Sequence, residues 1–266
     1  MRIGIFRYGF LALAFLGFLA SCRTGAVREA PTVEKIQRRG TVLVGTTGDY
    51  RPLSYREPET GTYWGFDLDV AGEIARKMKV SVTYVPTSWP TLTADVSDTS
   101  LFDFAIGGIT ITDTRLETMD MSEGYLGNGK TILCRIDDAG KFTCLEDLNH
   151  PEVRVMVNPG GLNEKFARTN LPDCTLIVFD KNEAIPDQVA GGHADVMITE
   201  ITEAPWYVRN DSRLSAPLLD KPFTHGEIGV LMRKGQEDLL EVVNAALREM
   251  KADGSLKALH EKYGFK

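Results

Sequence analysis

Gly65-Phe66-Asp67-Leu68-Asp69-Val70-Ala71-Gly72-Glu73-Ile74-Ala75-Arg76-Lys77-Met78 is the stretch whose reading decides the fold. After Asp67, Val70, Ala71, Ile74, Ala75 and Met78 recur at the spacing of one helical face, and Glu73, Arg76 and Lys77 fall opposite. A helix with a single apolar stripe must cover something, and its neighbours supply it. Thr41 to Gly45 (TVLVG) precedes it and Ser81 to Val85 follows, each a short apolar run rich in β-branched residues. Strand, helix and strand in that order predict an α/β fold with mostly parallel strands.

The same alternation continues outward. Pro90 to Ser97 reads as a short helix, and Phe102 to Ile106 (FDFAI) as a buried strand running into Gly107-Gly108. Strand ends followed by glycine are where open α/β sheets hold ligands. A second α/β run follows: strand Val153 to Val157, helix Leu162 to Thr169, strand Thr175 to Phe179, helix Glu183 to Ala190, strand Asp195 to Ile198, and a helix from about Glu200. This run predicts a second lobe. Gly226 to Met232 reads as one strand and Glu237 to Met250 as a long helix; Asp253-Gly254 breaks it, and Ser255 starts a last helix. No short fixed period recurs, which excludes repeat architectures.

Arg2, Arg7 and the apolar run Phe10 to Ala20 read as an export leader ending at Ser21. The run is too short to remain as a membrane span. Leu19-Ala20-Ser21-Cys22 is similar to a bacterial lipobox, which implies lipidation of Cys22, a tether over 22–29, and a membrane-anchored lipoprotein in the periplasm or at the cell surface. An incidental cysteine after an ordinary leader is the plainer alternative. The net charge of −7 leaves no basic footprint, so nucleic acid is not an expected partner and a small solute is. In an exported protein disulfides persist. Cys134 and Cys144 flank a polar turn, Arg135 to Gly140, that can return the chain, so a bridge between them is expected and Cys174 is left over. Their spacing matches no zinc pattern, and no metal is assigned.

Gly65 to Val70 (GFDLDV), Gly108 to Arg115 (GITITDTR), the Gly160-Gly161 turn and the Asp253-Gly254-Ser255-Leu256 terminus, in this order, resemble the type 3 family of bacterial extracellular solute-binding proteins. The resemblance implies a two-lobed periplasmic-binding-protein-like fold with a central cleft and hinge crossovers: residues 30–126 with 226–266 in one lobe, 127–225 in the other. Four further stretches are similar to the cyclohexadienyl dehydratases, enzymes on this fold that remove water and carbon dioxide from prephenate or arogenate. They are Thr46 to Pro52 (TTGDYRP), Pro86 to Pro90 (PTSWP), Val157 to Arg168 (VNPGGLNEKFAR) and Thr199 to Ala204 (TEITEA).

That second resemblance implies an acid-assisted dehydration and decarboxylation needing no cofactor. It implies Glu203 as the proton donor, one turn after Glu200 near a helix start, where the dipole opposes the protonated form unless burial raises its pKa. The bland reading is two solvated glutamates at a helix N-terminus. Arg115 matches the family's carboxylate-binding arginine, whose fork suits a carboxylate; a surface arginine on the helix capped by Asp113 is its alternative. Thr110, in the run Gly108 to Thr112, adds a hydroxyl and neighbouring amides. Asn158 and Asn163 bracket Pro159-Gly160-Gly161, where Gly161 lets backbone approach an anion. Trp89 and Tyr50 would wall the ring or pack in the core, Asp49 would position the acid or the leaving hydroxyl, and Lys130 would add positive charge.

Two residues depart from the pattern: Glu200 stands where relatives carry an aspartate that takes the ligand's ammonium, and Leu162 where threonine is more familiar. The competing expectation is a non-catalytic receptor that hands an amino acid to an ABC permease. A murein-processing or sensory module is a remoter one. No nucleophile motif, P-loop or dinucleotide fingerprint points to another enzyme class.

Overall fold

Each apolar run expected to be a strand does enter a sheet, and the chain sorts them into two five-stranded sheets. The computed structural model describes Met1 and residues 32–98 and 101–265. The leader, Cys22 and the tether lie outside the described residues. α1 (Thr32–Arg39) leads to β1 (Thr41–Thr46) and a small meander of β2 (Asp49–Tyr50), β3 (Ser54–Arg56) and β4 (Tyr63–Trp64). α2 (Phe66–Met78), β5 (Ser81–Pro86), α3 (Leu92–Ser97), β6 (Phe104–Ala105), α4 (Asp113–Thr118) and β7 (Met119–Met121) follow. β8 (Leu126–Asn128) and β9 (Lys130–Arg135) lead to β10 (Arg154–Val157), α5 (Leu162–Asn170), β11 (Thr175–Val178), α6 (Ile185–Ala190), β12 (Val196–Glu200), α7 (Ala204–Asn210) and β13 (Leu214–Ser215). β14 (Gly226–Ile228), β15 (Leu231–Arg233), α8 (Glu237–Asp253) and α9 (Ser255–Tyr263) complete the chain.

The first sheet runs β5-β1-β6-β15-β7 and the second β11-β10-β12-β9-β13. In each, the strands joined by helices are parallel and the strands next to the crossover are antiparallel. Side chains alternate across both sheets, so both faces are covered. Val42 and Val44 enter the core beneath α2 and α8, while Leu43 packs on the opposite face with Leu92 and Phe102. Val196 and Ile198 likewise pack on one face of the second sheet and Met197 on the other. β8 and β14 pair antiparallel as a two-stranded ribbon between the sheets. The chain leaves the first sheet along one and returns along the other, giving two α/β lobes with hinge crossovers.

Three expectations are corrected. The single strand 226–232 is divided at Gly229 and Val230, because β14 pairs with the outgoing crossover and β15 with β6 and β7. Glu200 does not begin a helix; it is the last residue of β12, and α7 starts at Ala204. The Cys134–Cys144 bridge is not formed. Cys134 lies on β9 with its thiol buried in the second core beside Phe142 and Leu148, and residues 136–141 coil into a 3-10 helix that delivers Cys144 to the exposed surface.

Gly65 precedes α2 at φ 147°, and a Cβ there would lie 2.2 Å from the Leu53 carbonyl oxygen. No side chain rotation relieves a backbone clash. Gly65→Ala should therefore cost about 2–3 kcal/mol, lowering the melting temperature by roughly 5–10 °C for a body of this size; a thermal melt within about 2 °C of the parent protein would contradict this packing.

Candidate active site

Parallel strands end on the same side of each sheet, and their C-terminal ends face a shared cleft, as open α/β sheets require of ligand sites. About 320 Å³ of empty space lies there, partly open to solvent. Tyr50, Trp89, Gly108, Thr110 and Arg115 line it from the segments that follow β1, β5 and β6, Tyr50 on β2 and Arg115 on α4. Lys130, Asn158, Gly161, Leu162, Asn163, Asn182 and Glu200 line it from the second sheet.

The charged floor follows from strand register. Glu200 at the end of β12 is paired directly with Lys130 at the start of antiparallel β9, which puts their side chains on one face. They form a salt bridge with only 8% of the lysine and 6% of the glutamate side chain exposed. Lys130 Nζ also donates to Asn163 Oδ1 at 2.5 Å, and from the other lobe Tyr50 donates its hydroxyl to the second oxygen of Glu200. Burial pushes the Glu200 carboxyl up, but Lys130 first and then the Tyr50 hydroxyl hold it below the usual carboxylate range. Glu200 is a carboxylate already satisfied by the protein.

Glu203, three residues on, has the opposite environment. It is the N-cap residue of α7 but does not cap it, because its side chain turns inward and is fully buried. Thr199 Oγ1 donates to one of its oxygens and Asn182 Nδ2 to the other at 3.0 Å. Burial raises its pKa to about 8, with the charges of Glu200 and Asp49 adding and those two hydrogen bonds opposing. At neutral pH Glu203 is a neutral carboxylic acid. It is not among the lining residues, but its hydrogen-bond partner Asn182 is.

Asp49 also stands behind the lining. Its Oδ1 accepts from Trp89 Nε1 at 3.0 Å and its backbone oxygen from Asn182 Nδ2 at 3.0 Å, so it fixes two lining side chains. Burial raises its carboxyl pKa, against hydrogen bonds from Thr47 and Trp89. The Tyr50 and Trp89 rings meet edge to face, 5.9 Å between centroids at 86°, making one apolar wall. Opposite charge comes from Arg115, whose Nη1 is tied to the Thr110 carbonyl at 2.5 Å. Gly108 sits at φ 77°, and a Cβ there would lie 2.2 Å from the Tyr50 ring. The buried Asp67 carboxyl holds the Gly108 amide at 2.5 Å; burial raises its pKa to about 7.

Asn182 and Asp67 carried no role in the sequence reading. Asn182 follows the C-terminal end of β11, so the strand-end rule that singled out Gly107 would have found it. Asp67 had no signal beyond its motif, since a carboxylate in an apolar helix stripe is read as exposed.

Residues 42–266 match the family described as bacterial extracellular solute-binding proteins, family 3. The chain is 38% identical over 231 residues to a cyclohexadienyl dehydratase of Pseudomonas aeruginosa, covering 87% of this chain and 85% of that one. It is 37% identical, with a TM-score of 0.81, to an ancestral amino acid-binding protein described as a precursor of cyclohexadienyl dehydratase, covering 89% and 100%. A variant of an ancestral cyclohexadienyl dehydratase is 49% identical, with a TM-score of 0.54, covering 88% and 96%.

A carboxyl whose folded pKa is raised favours the folded state when protonated. Its contribution is full below the unfolded pKa near 4.5 and is lost as pH rises through about 8. Glu203→Gln removes that loss. In urea unfolding at about pH 5, 6.5 and 8, the variant should match the parent at the lowest pH and exceed it by a growing margin, on the order of a few kcal/mol, at the highest. A constant difference across the series would mean that Glu203 is ionised in the folded protein.

Proposed function

The chain belongs to the bacterial extracellular solute-binding proteins of family 3, and from that premise we propose that it is an extracytoplasmic cyclohexadienyl dehydratase, a lyase converting prephenate to phenylpyruvate. The observation that carries this reading is Glu203, a fully buried carboxyl with a pKa of about 8 next to a cleft rich in hydrogen-bond donors. A receptor has no use for a neutral acid held behind its binding site. A dehydratase needs one, and the relative from Pseudomonas aeruginosa bears that name.

The reaction balances on a single proton. Glu203 gives its proton to the ring hydroxyl oxygen, the carbon–oxygen bond breaks and water leaves. The bond from the ring to its carboxylate breaks at the opposite carbon, carbon dioxide departs, and the electron pair of that bond completes the aromatic ring. The carboxylate left on Glu203 is reprotonated from solvent. A positioned acid contributes about 10² to 10⁴ in rate, and a closed cleft that orients the dianion contributes more. Arg115 supplies positive charge for a substrate carboxylate, Lys130 being already paired with Glu200, and the Gly161 turn at the start of α5 supplies helix N-terminal amides. The Tyr50–Trp89 wall faces the ring. No cofactor enters the chemistry.

The charge of the floor bears on substrate. Both oxygens of Glu200 are engaged, one by Lys130 and the other by Tyr50, so no free carboxylate lines the cleft among the described residues. An α-ammonium group would lie beside a lysine without an anion of its own, whereas an α-keto acid needs none. This supports prephenate over arogenate, and disfavours an amino-acid receptor serving an ABC permease. We also propose that the lipobox anchors the chain through a lipid on Cys22, several acyl chains being needed for stable attachment.

Purified protein should convert prephenate to phenylpyruvate, with kcat falling as pH rises through about 8, and arogenate should show a kcat/KM lower by about tenfold or more. Glu203→Gln should lose at least about 10²-fold in kcat while staying folded. Absence of turnover, with an amino acid raising the melting temperature, would make the protein a receptor. Globomycin treatment of expressing cells should leave the uncleaved leader on the chain; normal processing would remove the lipid anchor from this reading.

A further inference from the structure

Among the side chains lining the cleft, Asn182 alone carries a buried polar atom without a partner among the described residues, its Oδ1. The side chain is 1% exposed, so an unmet acceptor there is costly: leaving one unsatisfied typically amounts to about 1–3 kcal/mol. The amide cannot relieve this by turning over. Its Nδ2 donates both to the Asp49 carbonyl and to Glu203, each at 3.0 Å, and reversal would set oxygen against the Asp49 oxygen. Oδ1 is thus held as an unmet acceptor on a side chain that lines the cleft, with the acid bonded to the nitrogen beside it.

Prephenate as a dianion offers two carboxylates, a ketone and one hydroxyl, and the hydroxyl is its only hydrogen-bond donor. We propose that Asn182 Oδ1 accepts the hydrogen bond of the ring hydroxyl and so holds the leaving oxygen, lone pair outward, against the Glu203 carboxyl. The inference rests on the dehydratase reading for its substrate, but its geometry is tested by binding alone. In the reaction the hydroxyl keeps its own hydrogen toward Asn182 and receives the second from Glu203, so that water departs from a site where both of its hydrogens have partners. Asn182 would therefore touch the reacting atom.

Phenylpyruvate and 4-hydroxyphenylpyruvate differ only in a hydroxyl at the ring position corresponding to the one prephenate loses. By isothermal titration, wild-type protein should bind the hydroxylated compound about tenfold more tightly. In Asn182→Ala, and in Asn182→Ser as a smaller change, that advantage should vanish while phenylpyruvate affinity stays within about twofold. With prephenate, Asn182→Ala should lower kcat/KM about tenfold or more, the lost hydroxyl contact raising KM and any additional loss at the breaking bond lowering kcat. Equal affinity of wild type for the two compounds, no measurable binding of either, or an advantage that survives in both variants would overturn the assignment. If wild type prefers the hydroxyl yet converts no prephenate, the contact stands and the dehydratase reading falls.

Discussion

A carboxylate and an ammonium group buried side by side are held there by strand pairing. Glu200 and Lys130 are partners in the antiparallel register of β12 and β9, so the sheet that forms the second lobe's core also delivers the pair to the cleft floor. Removing both ions from water costs several kcal/mol each, recovered only when geometry is good and the remaining donors and acceptors are used. Here they are: Asn163 takes a further lysine proton, and Tyr50 reaches from the other lobe to the free glutamate oxygen. Because the pair stays charged, its glutamate end acts on its neighbours, pushing the Glu203 and Tyr50 pKa values up and opposing the fall that burial imposes on Arg115.

Two glutamates three residues apart thereby take opposite protonation states. Glu203 is the N-cap residue of α7, where the helix dipole favours a carboxylate by typically about 0.3–1 kcal/mol. Burial outweighs this, since full removal from water moves a carboxyl by several pKa units when no cation is near. Lys130 is spent on Glu200, and what Glu203 receives are neutral donors, Thr199 and Asn182. Separating the states of a carboxyl pair by environment is how one fold obtains an acid and a fixed anion at the same pH. The helix is too short and its glutamate too deep for the dipole to decide.

Periodicity made most of the fold legible, because parallel strands buried on both faces and helices with one apolar stripe leave distinct patterns. The places where the reading failed are those where pairing, not composition, decides. Gly226 to Met232 is a single apolar run, yet it serves two different sheets and must bend between them. Glu200 looked like a helix start because glutamates favour one; its membership of β12 follows from β9 lying alongside, and β9 itself was not recognised as a strand. Cys134 and Cys144 were close in sequence, but one belongs to a core strand and the other to the surface after a 3-10 helix. The lining of the cleft was legible through strand ends and motif resemblance. Asn182 follows a strand end and was within reach of the same rule, but its role is visible only once Glu203 and the Asp49 carbonyl are placed against its amide.

The chemistry also explains how little separates a binder from an enzyme on this scaffold. A binding cleft between two lobes already excludes water, aligns helix amides with an anion and walls the ligand with aromatic rings, and these same features orient a substrate. What it lacks is a proton held at neutral pH close to where a bond must break. That requires an acid with no adjacent cation, and the floor's lysine must then be neutralised elsewhere, which the Glu200–Lys130 pairing accomplishes. The same pairing consumes the anion an amino-acid ligand would need. A protonated Glu203, raised chiefly by burial and further by the Glu200 charge, and a floor whose carboxylate is already engaged therefore meet at one buried ion pair.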